Sequence, residues 1–218
     1  MFSSLSNSQV VKYIIAVNAI VYLLMFYTPV GQYYDLLAMF YIDTPYFKSW
    51  QLVTHMFMHG GFLHIAMNMY GVFLFGTILE RIWGAQRFLF YYMATGIGAG
   101  MIYLLVEGIR FKMNLGTFFP YTEGLAYKVI PVVGASGAVF GILIAFAMLF
   151  PNTELRLLFF PVPIKAKYLI GGYVVYELVT GLMNTAGDNV AHFAHLGGAL
   201  VGFLILFYWQ KTNRKSLY

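Results

Sequence analysis

Residues 131–150, PVVGASGAVFGILIAFAMLF, contain no charged residue and a single polar side chain, Ser136. About 20 apolar residues is the length a helix needs to cross the hydrocarbon core of a bilayer, so this run predicts a membrane span. The rest of the chain has the same character. It is 61% hydrophobic and 10% charged, whereas soluble domains average about 25% charged residues. Little chain is left for a soluble domain. The expectation is an all-α, polytopic membrane protein forming one integral membrane domain over residues 1–218. There are no cysteines, which excludes disulfide and thiolate chemistry.

Hydropathy and helix-end signals divide the chain into six spans, at about 10–27, 60–79, 87–106, 131–150, 168–183 and 191–209. The first is not read as a cleaved leader, because Tyr27-Thr28-Pro29 follows it rather than a small-residue cleavage site. Residues 1–9 read as disordered or interfacial. Residues 28–58 form a long connection rich in aromatic residues, expected to lie in the bilayer interface. Residues 107–130 form a second substantial loop, and a basic loop follows Pro151.

Six spans leave both termini on one side. Of the 13 Lys and Arg, nine fall at the termini and in the loops of that side: Lys12, Arg81, Arg87, Arg156, Lys165, Lys167, Lys211, Arg214 and Lys215. The other side has four: Lys48, Arg110, Lys112 and Lys128. The excess sets both termini in the cytoplasm. The net charge of +5 is scattered over helix ends, which argues against a nucleic-acid partner and for membrane orientation.

This topology brings polar residues to one depth. Spans two, four and six enter from the outer face. Ser136 and His195 each lie about five residues into their spans, about 7–8 Å below the outer end. His64 and Asn68 are spaced i, i+4 in the outer half of span two and share a face. Ionisable residues inside a membrane are functional candidates by default. Gly137 and Gly141 on span four, and Ala194, Gly198 and Gly202 on span six, have the small-xxx-small spacing that lets two helix backbones approach closely. His195 can then reach the Ser136 hydroxyl.

A serine hydroxyl becomes nucleophilic when a base removes its proton, and histidine has a suitable pKa. Attack on an amide makes an oxyanion that needs donors placed in advance. Asn68, His64 and the Ser136 amide are candidates, and Phe140, one turn after Ser136, can stack on His195. No acid is expected at that depth. Glu177 reads as a hydrogen-bonded helix contact in the middle of span five, Asp188 as solvated, and the pair as a Ser-His dyad.

These residues resemble the rhomboid family of intramembrane serine proteases. The markers are His64-Ile-Ala-Met-Asn68, Gly134-Ala-Ser136-Gly137 and Ala194-His195-Leu-Gly-Gly198-Ala-Leu-Val-Gly202, in that order and on the matching spans. The resemblance implies that Ser136 is the nucleophile, that His195 is its base, and that His64, Asn68 and the Ser136 amide bind the oxyanion. It also implies transmembrane helices as substrates, cut near the outer face. Entry would be sideways past span five, and the loop before span six would act as a cap. No metal or cofactor is implied. The minimal six-span layout is similar to bacterial members and implies the plasma membrane. One departure is Trp50-Gln51, where many members carry Trp-Arg. Glu80-Arg81, at the end of span two, reads as a structural bracket.

Two other readings compete. All five histidines fall on the outer side, and His55 and His59 are spaced i, i+4, so a metal- or haem-binding protein is one; a hydrogen-bonding role that braces the first loop or holds water is favoured for that pair. The other is a catalytically inactive relative that binds membrane helices. Such relatives usually lack the serine or the histidine, and both are present here.

Overall fold

The first helix of the bundle, α1 (Gln9–Tyr27), is held at its start by a side chain from the end of the second. Glu80 is buried, and its two carboxylate oxygens accept the Val10 and Val11 amides, each at 2.9 Å. The first N–H groups of a helix have no partner within it, and a carboxylate there also meets the positive end of the helix dipole. The bracket expected at Glu80 is therefore a helix cap supplied from another span.

The computed structural model describes residues 9–125, 131–157, 160–183 and 191–212. The expectations for residues 1–8, Lys128, Asp188, Arg214 and Lys215, and for the loop before the sixth span, lie outside the described residues. Among the described residues, five further helices of ten or more residues follow α1: α2 (Phe62–Trp83), α3 (Ala85–Leu115), α4 (Ser136–Leu149), α5 (Ala166–Met183) and α6 (His192–Thr212). Four of the six, α1, α2, α3 and α6, are long and apolar enough to cross a membrane. The chain is a helical, polytopic integral membrane protein.

The fourth helix is the centre of the bundle. Nine of its 14 residues are buried. Its partners approach at small residues. A Cβ on Gly198 would overlap the Gly137 carbonyl, and one on Gly202 would meet the Gly141 Cα at 2.9 Å. On the α3 side, a Cβ on Gly141 would lie 2.6 Å from Thr95, and the Tyr91 hydroxyl donates to the Gly141 carbonyl at 2.8 Å. Lipid tails are as apolar as leucine, so such helices associate by close van der Waals contact and interhelical hydrogen bonds.

Three boundaries differ from the sequence reading. The fourth helix starts at Ser136, not at residue 131. Gly134 has φ +126°, a conformation outside the helical region. The extended segment before the helix is paired with the first loop instead. Met39 and Val132 exchange backbone hydrogen bonds at 3.0 and 2.8 Å, and the Gly134 amide donates to the His55 carbonyl at 2.8 Å. Non-helical backbone at membrane depth needs such partners inside the protein.

The third helix continues to Leu115, carrying Arg110 and Lys112 on helix rather than loop; it stops at Gly116, whose φ of +78° is the left-handed cap glycine favours. The basic loop after α4 is an antiparallel hairpin, β1 (Glu154–Leu157) with β2 (Phe160–Lys165), pairing Glu154 with Lys165 and Leu155 with Ile164.

The first loop is built around Gln51, which is fully buried. Its amide donates to the Asp35 and Tyr46 carbonyls, each at 2.9 Å, and accepts from the Phe40 amide at 3.2 Å. Trp50 donates to the Leu36 carbonyl at 2.8 Å. In this chain the neutral residue in place of arginine ties three points of the loop together. The loop is fastened to the segment after α3 by Asp43, which accepts from the Tyr121 amide and from the Thr122 hydroxyl and amide.

Candidate active site

Ser136 is the first residue of α4, where the chain turns from extended to helical. As an opening residue its N–H has no acceptor within the helix, and the positive end of the α4 dipole lies at its side chain. A helix of 14 residues is about 21 Å long, too short to cross a hydrocarbon core of roughly 30 Å by itself.

His195 is the fourth residue of α6, brought to α4 by the Gly137–Gly198 contact. Its Nε2 is 2.8 Å from the Ser136 Oγ. The imidazole stacks on Phe140, with centroids 4.5 Å apart and planes 8° from parallel. Phe140 is in turn packed on Tyr173 of α5, at 4.8 Å. The ring is thus held both edge-on and face-on, and His192, one turn earlier, does not take its place.

His64 and Asn68, on α2, lie against Gly134. A Cβ at Gly134 would be 2.7 Å from His64 Nε2 and 3.6 Å from Asn68 Nδ2. Only glycine combines the positive φ with that approach. Asn68 Nδ2 is buried without a hydrogen-bond partner among the described residues. The Gly60 amide approaches His64 Nδ1 at 3.4 Å; with that nitrogen accepting, the ring proton sits on Nε2. Two donors from α2 thus meet the chain two residues before Ser136.

His55 and His59 brace this arrangement. His55 Nδ1 lies 2.7 Å from the Gln51 carbonyl, and the His55 carbonyl accepts from Gly134. The His59 ring packs edge-on against His64 at 5.0 Å. Burial pushes both His55 and His59 down to about 4, so they are neutral at physiological pH.

Glu177 is the hydrogen-bonded helix contact the sequence predicted, but its depth differs from the expectation. Glu177 is buried, and its Oε2 is 2.9 Å from His195 Nδ1 and 2.6 Å from His192 Nδ1. An acid does reach the depth of the serine and histidine. Glu177 lies six residues before Met183, about 9 Å along α5, and His195 three residues after His192, about 4.5 Å along α6. The difference is within the reach of the two side chains. The polar residue in an apolar run was visible; its height relative to His195 depends on how α5 and α6 are set against each other.

Residues 46–212 match the family model described as the Rhomboid domain. The chain belongs to the rhomboid family. This rhomboid is 31% identical over 217 residues to the "Putative rhomboid protease YdcA" of Bacillus subtilis, an alignment covering 94% of this chain and 92% of that protein. It is 36% identical over 165 residues to "Rhomboid protein 1, mitochondrial" of Saccharomyces cerevisiae, covering 73% of this chain and 42% of that protein. It is 32% identical over 155 residues to the "Rhomboid protease GluP" of Bacillus subtilis, covering 71% of the chain and 25% of that protein. This rhomboid thus spans nearly the whole of one such relative and less than half of the other two.

Proposed function

We propose that this rhomboid is an intramembrane serine endopeptidase that cleaves transmembrane segments with Ser136 as nucleophile and His195 as base. The observation that carries the reading is the 2.8 Å contact between His195 Nε2 and Ser136 Oγ at the start of a helix. Ser136 Oγ attacks the scissile carbonyl carbon while its proton passes to His195 Nε2. The carbonyl oxygen becomes an oxyanion, stabilised by Asn68 Nδ2, His64 Nε2–H, the Ser136 amide and the positive end of α4. The C–N bond then breaks as His195 returns the proton to the leaving amine. Water, deprotonated by the same nitrogen, attacks the ester carbonyl. Release of the carboxyl product restores Ser136 and His195.

A substrate helix has its carbonyls hydrogen-bonded internally, so it must unwind at the cut, and the freed backbone groups then need partners from the protein or from water in the site. Four buried residues anchor α5 (Ala166, Ile170, Glu177 and Gly181), while Tyr173, Val175, Tyr176, Leu178 and Val179 are exposed. That supports sideways entry past α5. The Lys and Arg asymmetry supports cytoplasmic termini and a site opening to the outer face of a plasma membrane. The test is cleavage of a single-span reporter by the purified protein beside Ser136→Ala. Cleavage by the wild type alone supports the proposal; equal cleavage by both contradicts it.

A further inference from the structure

Resting on the serine-protease reading, we infer that Glu177 is a positioning residue for His195, so that the working unit is Ser136, His195 and a carboxylate delivered from α5. Two contacts and one burial carry this. Glu177 Oε2 lies 2.9 Å from His195 Nδ1. The opposite nitrogen of the same ring lies 2.8 Å from Ser136 Oγ. The carboxylate is buried, with a side chain 3% exposed. An ionised carboxylate only accepts hydrogen bonds, so the nitrogen facing it carries the proton. That fixes the tautomer: Nδ1 is protonated and Nε2 has its lone pair directed at the serine. In the other tautomer Nε2 would carry a proton and could not receive the serine's.

A charge this deep in an apolar bundle requires donors around it. The second comes from His192, whose Nδ1 approaches the same Oε2 at 2.6 Å and lies 3.1 Å from the Thr180 hydroxyl. Ordinary helix-to-helix anchoring would need neither two imidazoles on one oxygen nor the face of His195 held by Phe140.

During attack the Ser136 proton moves to His195 Nε2, and the ring becomes an imidazolium. The Nδ1 proton stays on the ring, and Glu177 remains ionised and balances the new positive charge. When the amine leaves, the proton departs from Nε2. Nothing is transferred to Glu177. Its contribution is orientation and charge, which are realised in the transition state rather than in substrate binding.

The test is reporter cleavage by the purified full chain, comparing wild type, Glu177→Gln and Glu177→Asp, with kcat, KM and thermal midpoint for each. Glutamine keeps the size and loses the charge. The expected result is a fall in kcat of at least about tenfold for Glu177→Gln, bounded by the roughly 10⁴-fold loss seen when a triad acid is neutralised. KM should stay within about twofold. Glu177→Asp should recover part of the loss.

An unaltered kcat in Glu177→Gln, or a loss appearing in KM and thermal midpoint instead, overturns the inference and leaves Glu177 as an anchor. A wild type that cleaves nothing counts against the protease reading itself. Should Glu177→Gln fail to fold, nitrogen-15 NMR of histidine-labelled wild type decides, with His195 assigned by difference from His195→Ala. A protonated Nδ1 and bare Nε2 at neutral pH support the inference; the reverse overturns it.

Discussion

Gly198 of α6 and Gly137 of α4 meet backbone to backbone, so closely that a Cβ on Gly198 would fall on the Gly137 carbonyl oxygen. This contact sits one residue from Ser136 and three from His195, and it sets the distance between them. Gly198→Ala must push the two helices apart. Overpacking of this kind costs about 1–3 kcal/mol. A displacement near 1 Å at the reacting groups costs up to about 100-fold in rate. The expected outcome is a lower thermal midpoint together with a fall in kcat/KM of at least about tenfold. Gly171 is the control. A Cβ there meets nothing within 4 Å, so Gly171→Ala is expected to leave cleavage unchanged and to hold or raise the midpoint.

Asn68 Nδ2, buried beside Gly134 and without a partner among the described residues, is expected to find its acceptor in the oxyanion. Removing one such donor costs about 10²–10³ in kcat. Asn68→Ala should show that loss with KM little altered. A change confined to KM would assign Asn68 to substrate binding.

Gln51 holds the first loop through three backbone partners, and the His55 carbonyl one turn later holds Gly134. Gln51→Ala leaves buried backbone groups unpaired, at a cost of about 2–4 kcal/mol. Gln51→Arg keeps donors for the Asp35 and Tyr46 carbonyls but loses the acceptor for Phe40. It should be destabilised less than alanine. Thermal midpoints of the three proteins check the order.

Acid should loosen the same region. Burial holds His55 and His59 at about 4, below their ordinary 6.5. An unfolded chain takes up these protons first. The stability tied to keeping both rings neutral is therefore complete above pH 6.5 and is lost as pH falls from 6.5 towards about 4. The amount is up to about 3 kcal/mol for each histidine. Thermal midpoints measured from pH 7.5 down to 4.5 should fall steadily. His59→Phe, which cannot protonate, should flatten the slope by about half.

How far the sequence foretold this site follows from what each residue depended on. Ser136, His195, His64 and Asn68 stand out because a polar side chain in an uncharged apolar run needs a partner or a purpose. The glycines stand out because their spacing repeats on two spans. The start of α4 was hidden, because it depends on the positive φ of Gly134 and on pairing with Met39 and His55, which lie far back in the first loop. The hairpin was hidden by Pro161 and Pro163, which weigh against a strand in local propensity although an edge strand tolerates them. The role of Glu177 was hidden because only the packed bundle sets the height of α5 against α6.

Under the proposed mechanism Ser136 is a nucleophile made reactive by His195. The most direct measurement is mass-spectrometric mapping of the adduct formed when the purified protein reacts with a fluorophosphonate, in wild type and His195→Ala. The expected result is one phosphonylated residue, Ser136, in the wild type and none in His195→Ala. Cleavage of the reporter by a wild type that carries no adduct at Ser136, or equal labelling without His195, would contradict it.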